Sequence, residues 1–367
     1  MLVAAAVARP QLRPVAFGGD HVNCDAVQLC CGLSLVSAPP SWSPRRVSRQ
    51  ISRRDVLLGG AALGLGGALG AASLVTATQR AVAQTGAPMI PAGRVGATFD
   101  LFPFCPGTTY PQAVDTWNNT TGTSMRCWKV YYQPGEFPTS IDDRIRTIID
   151  RGIQALISFK PAISLSATDR SKLASAVEMF HAAGLIAEVC LWQEVGPKDM
   201  TATQYHDVVA YYGPAVRQYY PLVFDAPGSQ GPSEWSAYDP GRASLDGYAV
   251  DYYCSTFTNQ SFRLETMAHV AGNLPLGIWE IGNTASAGFV PTAAQLTDYM
   301  NYLTSFLSRR AASGLPVGSV AWYNGPADAL QDGANEIAGC NPSSVNPLVS
   351  TDIAAYRRLY GAVNGLP

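Results

Sequence analysis

The sequence has little charge and very few histidines. Only 14% of the 367 residues are Asp, Glu, Lys or Arg, the formal net charge is −2, and there are 4 histidines. A chain so close to neutral gives no electrostatic basis for binding nucleic acid. So few histidines argue against both a zinc hydrolase and an enzyme with a Ser-His-Asp triad. Because 47% of the residues are hydrophobic, the low charge indicates a folded chain and not a disordered one.

Several cofactor and metal motifs are also missing. No P-loop is present, and no G-x-G-x-x-G follows the first apolar strand, which excludes a Rossmann domain. No cysteine pair has C-x-x-C spacing, so a structural zinc site is not expected. Cys105 and Cys340 lie in predicted loops and are candidates for a disulfide. We expect buried free thiols where cysteines occupy apolar runs, at Cys127, Cys190 and Cys254.

The first 83 residues differ from the rest of the chain. The pair Arg53-Arg54 precedes a glycine-rich apolar run over residues 57–77, and Ala81-Val82-Ala83 follows it. This order resembles a twin-arginine export signal, with Asp55 as a departure between the arginines and the run. A membrane anchor is the alternative, because the run is long enough to span a bilayer. We expect a cleaved leader over 1–83, a start codon at Val47, and a secreted bacterial protein without stable membrane association.

Without this leader the chain becomes an acidic domain of one-barrel size. The leader carries 8 of the 25 basic and 3 of the 27 acidic residues, which leaves the 284 residues of 84–367 with a net charge of −7. Short apolar runs alternate there with helical patterns at the spacing of βα units. The segment 226–243 is rich in glycine, proline and serine, which predicts a long loop instead of a helix. The pattern predicts an α/β fold, a single (β/α)8 TIM barrel. Its predicted strands are 95–101, 125–131, 154–159, 186–192, 222–225, 247–254, 276–280 and 319–322. The clearest predicted helices are 139–151, 169–183, 201–219, 292–310 and 351–363.

Two glutamates follow predicted strands at the end of the barrel where active sites lie. Glu194 comes after the fourth strand and Glu280 closes the seventh, each directly or closely preceded by tryptophan. Two carboxylates in one cavity suit glycoside cleavage, because one can hold a proton for the leaving oxygen while the other is ionised. Asp225 and Asp251 are expected to pair with Arg126 and Lys129 or to stabilise loops.

The positions of Glu194 and Glu280, at the ends of strands four and seven, resemble those of the two glutamates in the retaining glycoside hydrolases of clan A. The segment Gly277-Ile278-Trp279-Glu280-Ile281-Gly282 is similar to the nucleophile segment of family 26, and families 5 and 39 are also similar in outline. By that resemblance Glu280 is the nucleophile, Glu194 is the acid/base, and Tyr252 or Tyr253 orients the nucleophile. Gln193 is a departure, because many clan members have Asn, and family 26 has His, before the acid/base.

The sequence therefore predicts a retaining hydrolase of a β-linked polysaccharide or oligosaccharide that acts as a monomer and needs no metal or organic cofactor. A non-catalytic carbohydrate-binding barrel is the main alternative, and a lyase or aldolase with Lys129 or Lys160 as a Schiff base is a third. His181, His206 and His269 fall on predicted helices and are not candidates. Flat aromatic faces suit sugar rings. The predicted substrate-binding residues are Arg126, Trp128, Lys129, Trp192, Gln193, Asp251, Tyr253, Trp279 and Trp322.

Overall fold

Eight parallel strands close into a barrel in chain order. The computed structural model describes residues 93–227, 232–284, 290–325 and 335–364, so the predicted leader lies outside the described residues. Each strand pairs in parallel with the next, and β8 pairs with β1 in the register Val95↔Val320. This arrangement confirms the predicted (β/α)8 barrel. The strands are β1 Val95–Thr98, β2 Cys127–Tyr131, β3 Gln154–Phe159, β4 Ala187–Leu191, β5 Leu222–Pro227, β6 Gly247–Tyr253, β7 Leu276–Gly282 and β8 Val317–Tyr323.

Helices follow the strands and pack against the outside of the barrel. Several begin at the polar residues that the sequence places before them: the side chain of Thr201 accepts a hydrogen bond from Gln204 N, and that of Thr292 from Gln295 N. Such caps satisfy N–H groups that have no partner within the helix. The helices are α1 Tyr110–Thr121, α2 Asp143–Asp150, α3 Ala167–Ala182, α4 Ala202–Val216, α5 Pro232–Tyr238, α6 Cys254–Ala271, α7 Ala293–Ala312, α8 Pro342–Val345 and α9 Val349–Asn364.

The prediction of a long loop over 226–243 is wrong in part. Strand β5 continues to Pro227, and the short helix α5 lies within the segment. Trp235 and Tyr238 are buried there, and the Tyr238 hydroxyl donates a hydrogen bond to Met200 O at 2.7 Å. These tertiary contacts stabilise a turn-rich sequence in a helix that its own composition does not favour.

The barrel interior is filled by side chains in successive layers. Near the amino ends of the strands, Gln154 and Ser319 donate hydrogen bonds to the buried Glu188. Above them lies an apolar layer, and the charged residues of the next layer lie towards the carboxyl ends of the strands. This filling is typical of TIM barrels, in which the core is packed and is not a pore. The apolar layer consists of Cys127, Leu156, Cys190, Val223, Ala249, Trp279 and Ala321.

A disulfide between Cys105 and Cys340 joins the loop after β1 to the segment after β8. The two Cα atoms are 4.7 Å apart, and Cys340 N donates a hydrogen bond to Pro103 O at 2.8 Å. This pairing confirms the candidate disulfide. Cys127, Cys190 and Cys254 are free and buried, as expected. None of the helices in the described ranges has the length and apolar character needed to cross a bilayer.

Candidate active site

A cavity of about 610 Å³ opens at the carboxyl ends of the strands. Its size falls within the range of small-molecule sites, and both predicted catalytic glutamates line it. Among the residues that the structure describes, seven of the eight strands or the loops after them contribute, with β5 the exception. The lining residues are Thr98, Phe99, Asp100, Phe102, Pro103, Lys129, Tyr131, Tyr132, Gln133, Arg144, Lys160, Gln193, Glu194, Tyr253, Glu280, Tyr323, Asn324 and Gly325.

The floor of the cavity is built around one buried lysine. The Lys129 Nζ lies 2.9 Å from Asp225 Oδ2, 3.0 Å from Asp251 Oδ2 and 3.0 Å from Glu280 Oε1. Burial by itself lowers the pKa of Lys129, but the three carboxylates together raise it well above its usual value. The predicted pairing of both aspartates with Lys129 is therefore confirmed. An ammonium held this firmly is unsuited to Schiff-base chemistry, which needs the free amine.

The two aspartates of this cluster differ from ordinary surface carboxylates. Burial raises the pKa of Asp225, although Lys129 opposes the shift. Burial and the neighbouring Asp225 raise the pKa of Asp251 well above its usual value. Like charges placed this close favour protonation of at least one member of the pair. Asp251 lies beneath the cavity and touches Lys129, so its predicted contact with substrate is not what the structure shows.

Glu280 lies among three hydrogen-bond donors. The hydroxyl of Tyr131 donates to Glu280 Oε1, the hydroxyl of Tyr253 donates to Glu280 Oε2, and the Lys129 ammonium is the third donor. Only 8% of the Glu280 surface is exposed, so water supplies little of its solvation. Donors of this kind stabilise a carboxylate anion. Three donors therefore converge on the Glu280 carboxyl group, which lines the cavity.

A β-bulge in β7 brings Glu280 to this position. Val250 pairs with Ile278, whereas the next residue of β6, Asp251, pairs with Glu280, so Trp279 is the extra residue in β7. In a regular strand, Trp279 and Glu280 would point to opposite faces. The bulge re-aims the chain, and both side chains then lie inside the barrel, Trp279 in the apolar layer and Glu280 above it.

Glu194 occupies a strained loop after β4. Its φ is +51° and that of Trp192 is +61°, a region that bulky residues rarely adopt. Such conformations cost about 1–3 kcal/mol each and concentrate at functional sites. The backbone N–H of Glu194 donates to Asp225 O at 3.1 Å, which fixes the loop against β5. Burial raises the pKa of Glu194, with Lys129 opposing the shift. Glu194 is thus the cavity carboxyl group better suited to hold a proton.

Gln193, between the two strained residues, also lines the cavity. Its side chain shares a hydrogen bond with the Ser158 hydroxyl at the end of β3. Of the remaining predicted substrate-binding residues, Lys129 and Tyr253 line the cavity as well. Gln193 and Tyr253 therefore lie at the cavity, whereas the Lys129 side chain is fully buried in its floor and its predicted contact with substrate is not what the structure shows.

The prediction that Trp128, Trp279 and Trp322 bind substrate is wrong for this structure. Trp128, Trp279 and Trp322 are fully buried and do not line the cavity. Trp128 and Trp322 each stand between two inward-facing residues of their strands, so the alternation of β-strands points them outward into the helix layer. Their indole N–H groups donate to Phe99 O and Asn335 O at 3.1 and 2.8 Å. Trp279 lies in the apolar layer below the cavity.

Trp192 is half-buried, and its indole N–H donates to Pro161 O at 2.9 Å. Its ring lies beside the cavity and not on its surface, with the Lys160 Nζ 5.7 Å from the ring centroid. Trp192 therefore adjoins the cavity through its contact with Lys160 and its place in the strained loop.

The prediction that Arg126 binds substrate is also wrong. It precedes β2 at the amino end of the barrel, where it is exposed and its backbone N–H donates to Val95 O at 2.9 Å. The cavity is at the opposite end, so Arg126 does not contribute to it. Of the two candidate tyrosines of β6, Tyr253 contacts Glu280, whereas Tyr252 is buried with its ring stacked on Tyr299.

Tyr131, Tyr323 and Arg144 are among the cavity residues that the sequence prediction did not select. Tyr131 and Tyr323 each lie two positions beyond an inward-facing residue, Lys129 and Ala321, so strand alternation was a usable signal for them. Arg144 lies in the first turn of α2, beyond the loop after β2, and no sequence pattern marks it.

Comparison with known proteins gives structural similarity only. No protein-family model and no curated protein sequence matches the chain. A family 26 glycoside hydrolase of Muricauda sp. covers 74% of this chain and 89% of its own, at 9% identity and a TM-score of 0.43. An endo-β-1,4-mannanase of the same family from Bacillus sp. JAMB-750 covers 73% and 86%, at 9% identity and a TM-score of 0.48.

A third solved structure belongs to a different family of glycoside hydrolases. The family 128 endo-β-1,3-glucanase of Pseudomonas viridiflava covers 75% of this chain and 98% of its own, at 16% identity and a TM-score of 0.47. With identities of 9–16% and TM-scores below 0.5, none of the three assigns a function to the chain.

Proposed function

We propose that the protein is a retaining glycoside hydrolase of a β-linked polysaccharide or oligosaccharide. The observation that carries the proposal is the unequal pair of carboxyl groups in one cavity. Glu280 receives hydrogen bonds from two tyrosine hydroxyls and the Lys129 ammonium, whereas burial raises the pKa of Glu194. Two carboxyl groups in environments of this kind take the roles of nucleophile and proton donor.

The reaction follows from these roles as a double displacement. In the first step, Glu194 transfers its proton to the glycosidic oxygen as the bond to the anomeric carbon breaks, and the Glu280 carboxylate bonds to that carbon. In the second step, Glu194 removes a proton from water, the water oxygen bonds to the anomeric carbon, and Glu280 leaves as a carboxylate. The Tyr131 and Tyr253 hydroxyls hold Glu280 in position and stabilise its charge before and after the covalent intermediate.

We also propose that the enzyme is exported and works as a monomer made of residues 84–367. Support for export comes from the resemblance of 53–83 to a twin-arginine signal and from the Cys105–Cys340 disulfide. Disulfides form and persist mainly in oxidising compartments such as the periplasm and the extracellular space.

The direct test is hydrolysis of β-mannan, β-glucan, xylan and galactan by the wild type and by Glu280→Ala and Glu194→Ala. We expect release of reducing ends from at least one polysaccharide, with a loss of about three orders of magnitude or more in both variants. Glu178→Ala, an exposed glutamate of α3 outside the cavity, is the matched control and keeps full activity. Circular dichroism checks that each variant is folded.

Two results contradict the proposal. Hydrolysis that survives in Glu280→Ala would remove Glu280 from the mechanism. Tight binding of a glycan without any release of reducing ends would instead favour the non-catalytic carbohydrate-binding barrel, for which the Gln193 departure is the sequence argument.

A further inference from the structure

One side of the cavity carries two cations that take no direct part in the proposed double displacement. Lys160 follows β3 and Arg144 lies in the first turn of α2, and both line the cavity. The Arg144 guanidinium lies over the Tyr132 ring, 5.4 Å from its centroid, and that ring stacks on Phe159, the residue before Lys160. The two cations therefore share the β2–β3 side of the cavity, and we refer to Arg144 and Lys160 as the cationic wall.

Lys160 is not neutralised by the protein. Within the described ranges, no carboxylate oxygen lies within the 4.0 Å ion-pair distance of its Nζ. The Lys160 Nζ lies over the Trp192 ring, 5.7 Å from its centroid. A cation over an aromatic face is held in place but keeps its full charge. Lys160 thus presents a positive charge to the cavity.

Arg144 is only loosely paired. Its nearest carboxylate oxygens are Asp100 Oδ1 at 3.8 Å and Asp142 Oδ2 at 3.9 Å. Its Nε is buried and has no hydrogen-bond acceptor among the residues that the structure describes. Asp100 also lines the cavity, but 67% of its side chain is exposed, so water screens its charge. A buried guanidinium N–H without an acceptor is costly, and a ligand acceptor would relieve that cost.

We infer that the substrate is an acidic glycan, a β-linked polyuronide, and that the cationic wall binds the carboxylate of one of its sugars. The inference rests on the proposed glycosidase function, whose two glutamates face the same cavity. A guanidinium and an ammonium both make charge-assisted hydrogen bonds with carboxylates, and arginine can do so through two parallel N–H groups. A neutral sugar hydroxyl offers no charge to either residue, so the wall distinguishes acidic from neutral glycans of the same linkage.

The test compares oligosaccharides that differ only at C6, which carries a carboxylate in one and a hydroxymethyl group in the other. The probes are the tetrasaccharides of β-1,4-glucuronan and cellulose, and those of β-1,4-mannuronan and β-1,4-mannan. Calorimetry measures their Kd values in the Glu280→Gln background, which prevents turnover. Lys160→Gln and Arg144→Gln are added to this background, with Lys172→Gln, an exposed lysine of α3 outside the cavity, as the control.

We expect at least one acidic tetrasaccharide to bind about tenfold or more tightly than its neutral partner, an advantage that salt weakens. Lys160→Gln and Arg144→Gln each remove most of that advantage, and Lys172→Gln keeps it. The inference is overturned if neither acidic tetrasaccharide binds more tightly than its neutral partner, or if the advantage is unchanged in both Lys160→Gln and Arg144→Gln.

Hydrolysis by the wild type separates this inference from the proposed function. Preferential binding of an acidic tetrasaccharide that is never cleaved would contradict the glycosidase proposal and support the cationic wall. Cleavage of the neutral tetrasaccharides, with no preference for the acidic ones, would support the glycosidase and contradict the wall.

Discussion

Replacement of Lys129 by methionine tests the charge balance on which the candidate site depends. The substitution keeps the length of the apolar stem and removes the ammonium that lies 2.9–3.0 Å from Asp225, Asp251 and Glu280. Loss of one partner from a buried ion pair costs about 3–5 kcal/mol, because the remaining charge has neither water nor a counter-ion. A domain with a total stability of about 5–15 kcal/mol would lose a large part of it.

The pH dependence of this loss gives a second, independent signature. Burial already raises the pKa values of Asp225 and Asp251, and the neighbouring Asp225 adds to the shift of Asp251; removal of the ammonium raises both pKa values further. A carboxyl group with a raised folded-state pKa stabilises the fold below its unfolded-state pKa, and this stability is lost as the pH rises through the folded-state value. The deficit of Lys129→Met therefore grows from acidic to neutral pH, by about 1.4 kcal/mol for each unit by which one pKa rises.

Urea unfolding of Lys129→Met and wild type, at about pH 4.5 and about pH 8, measures both quantities. Lys172→Met, in which an exposed lysine of α3 is replaced, is the control and stays within about 0.5 kcal/mol of the wild type. A deficit below about 1 kcal/mol, or one that is equal at the two pH values, would show that the Lys129 cluster is not the buried charge centre described above.

Three further predictions concern the parts of the site that surround this cluster. Tyr253→Phe removes one donor to Glu280 and should lower kcat by roughly 10–100-fold with little change in KM, as measured by steady-state kinetics; a change confined to KM would place Tyr253 in substrate binding instead. Lys160 lowers the pKa of Glu194, which must be protonated to act as the acid. Lys160→Gln should therefore move the alkaline limb of the plot of kcat against pH to higher pH. An unmoved limb would show that the charge of Lys160 does not influence Glu194. The double variant Cys105→Ser/Cys340→Ser removes a disulfide that joins residues 235 positions apart and should lower the stability by about 3–5 kcal/mol in thermal unfolding. Reductant should have no further effect on this variant. An unchanged Tm would contradict a stabilising role of the disulfide.

The barrel could be predicted from the sequence because its strands are buried on both faces. Runs such as 154–159 and 186–192 are continuously apolar or nearly so, and they recur at βα spacing, which is the pattern of a parallel sheet covered by helices. The α5 helix was missed because its residues favour turns locally, and the contacts of Trp235 and Tyr238 that stabilise it are tertiary.

Within the site, the glutamates and Lys129 could be placed because strand ends converge at one rim of a barrel. The tryptophans could not, because their orientation depends on one residue of register. Trp128 faces outward since Lys129 faces inward, and a sequence interpretation that places both in the cavity ignores that alternation. Trp279 faces inward only because the bulge in β7 breaks the alternation, and no residue pattern signals the bulge.

The most direct test of the central claim is to trap the covalent intermediate and locate it. The 2-deoxy-2-fluoro glycosyl fluoride of the sugar that the enzyme cleaves is incubated with the wild type, and the labelled peptide is identified by mass spectrometry. The roles proposed for the two glutamates predict one label per chain, carried by Glu280, and no labelling of Glu280→Gln. A label on Glu194, or turnover with inversion and no labelled enzyme, would contradict them.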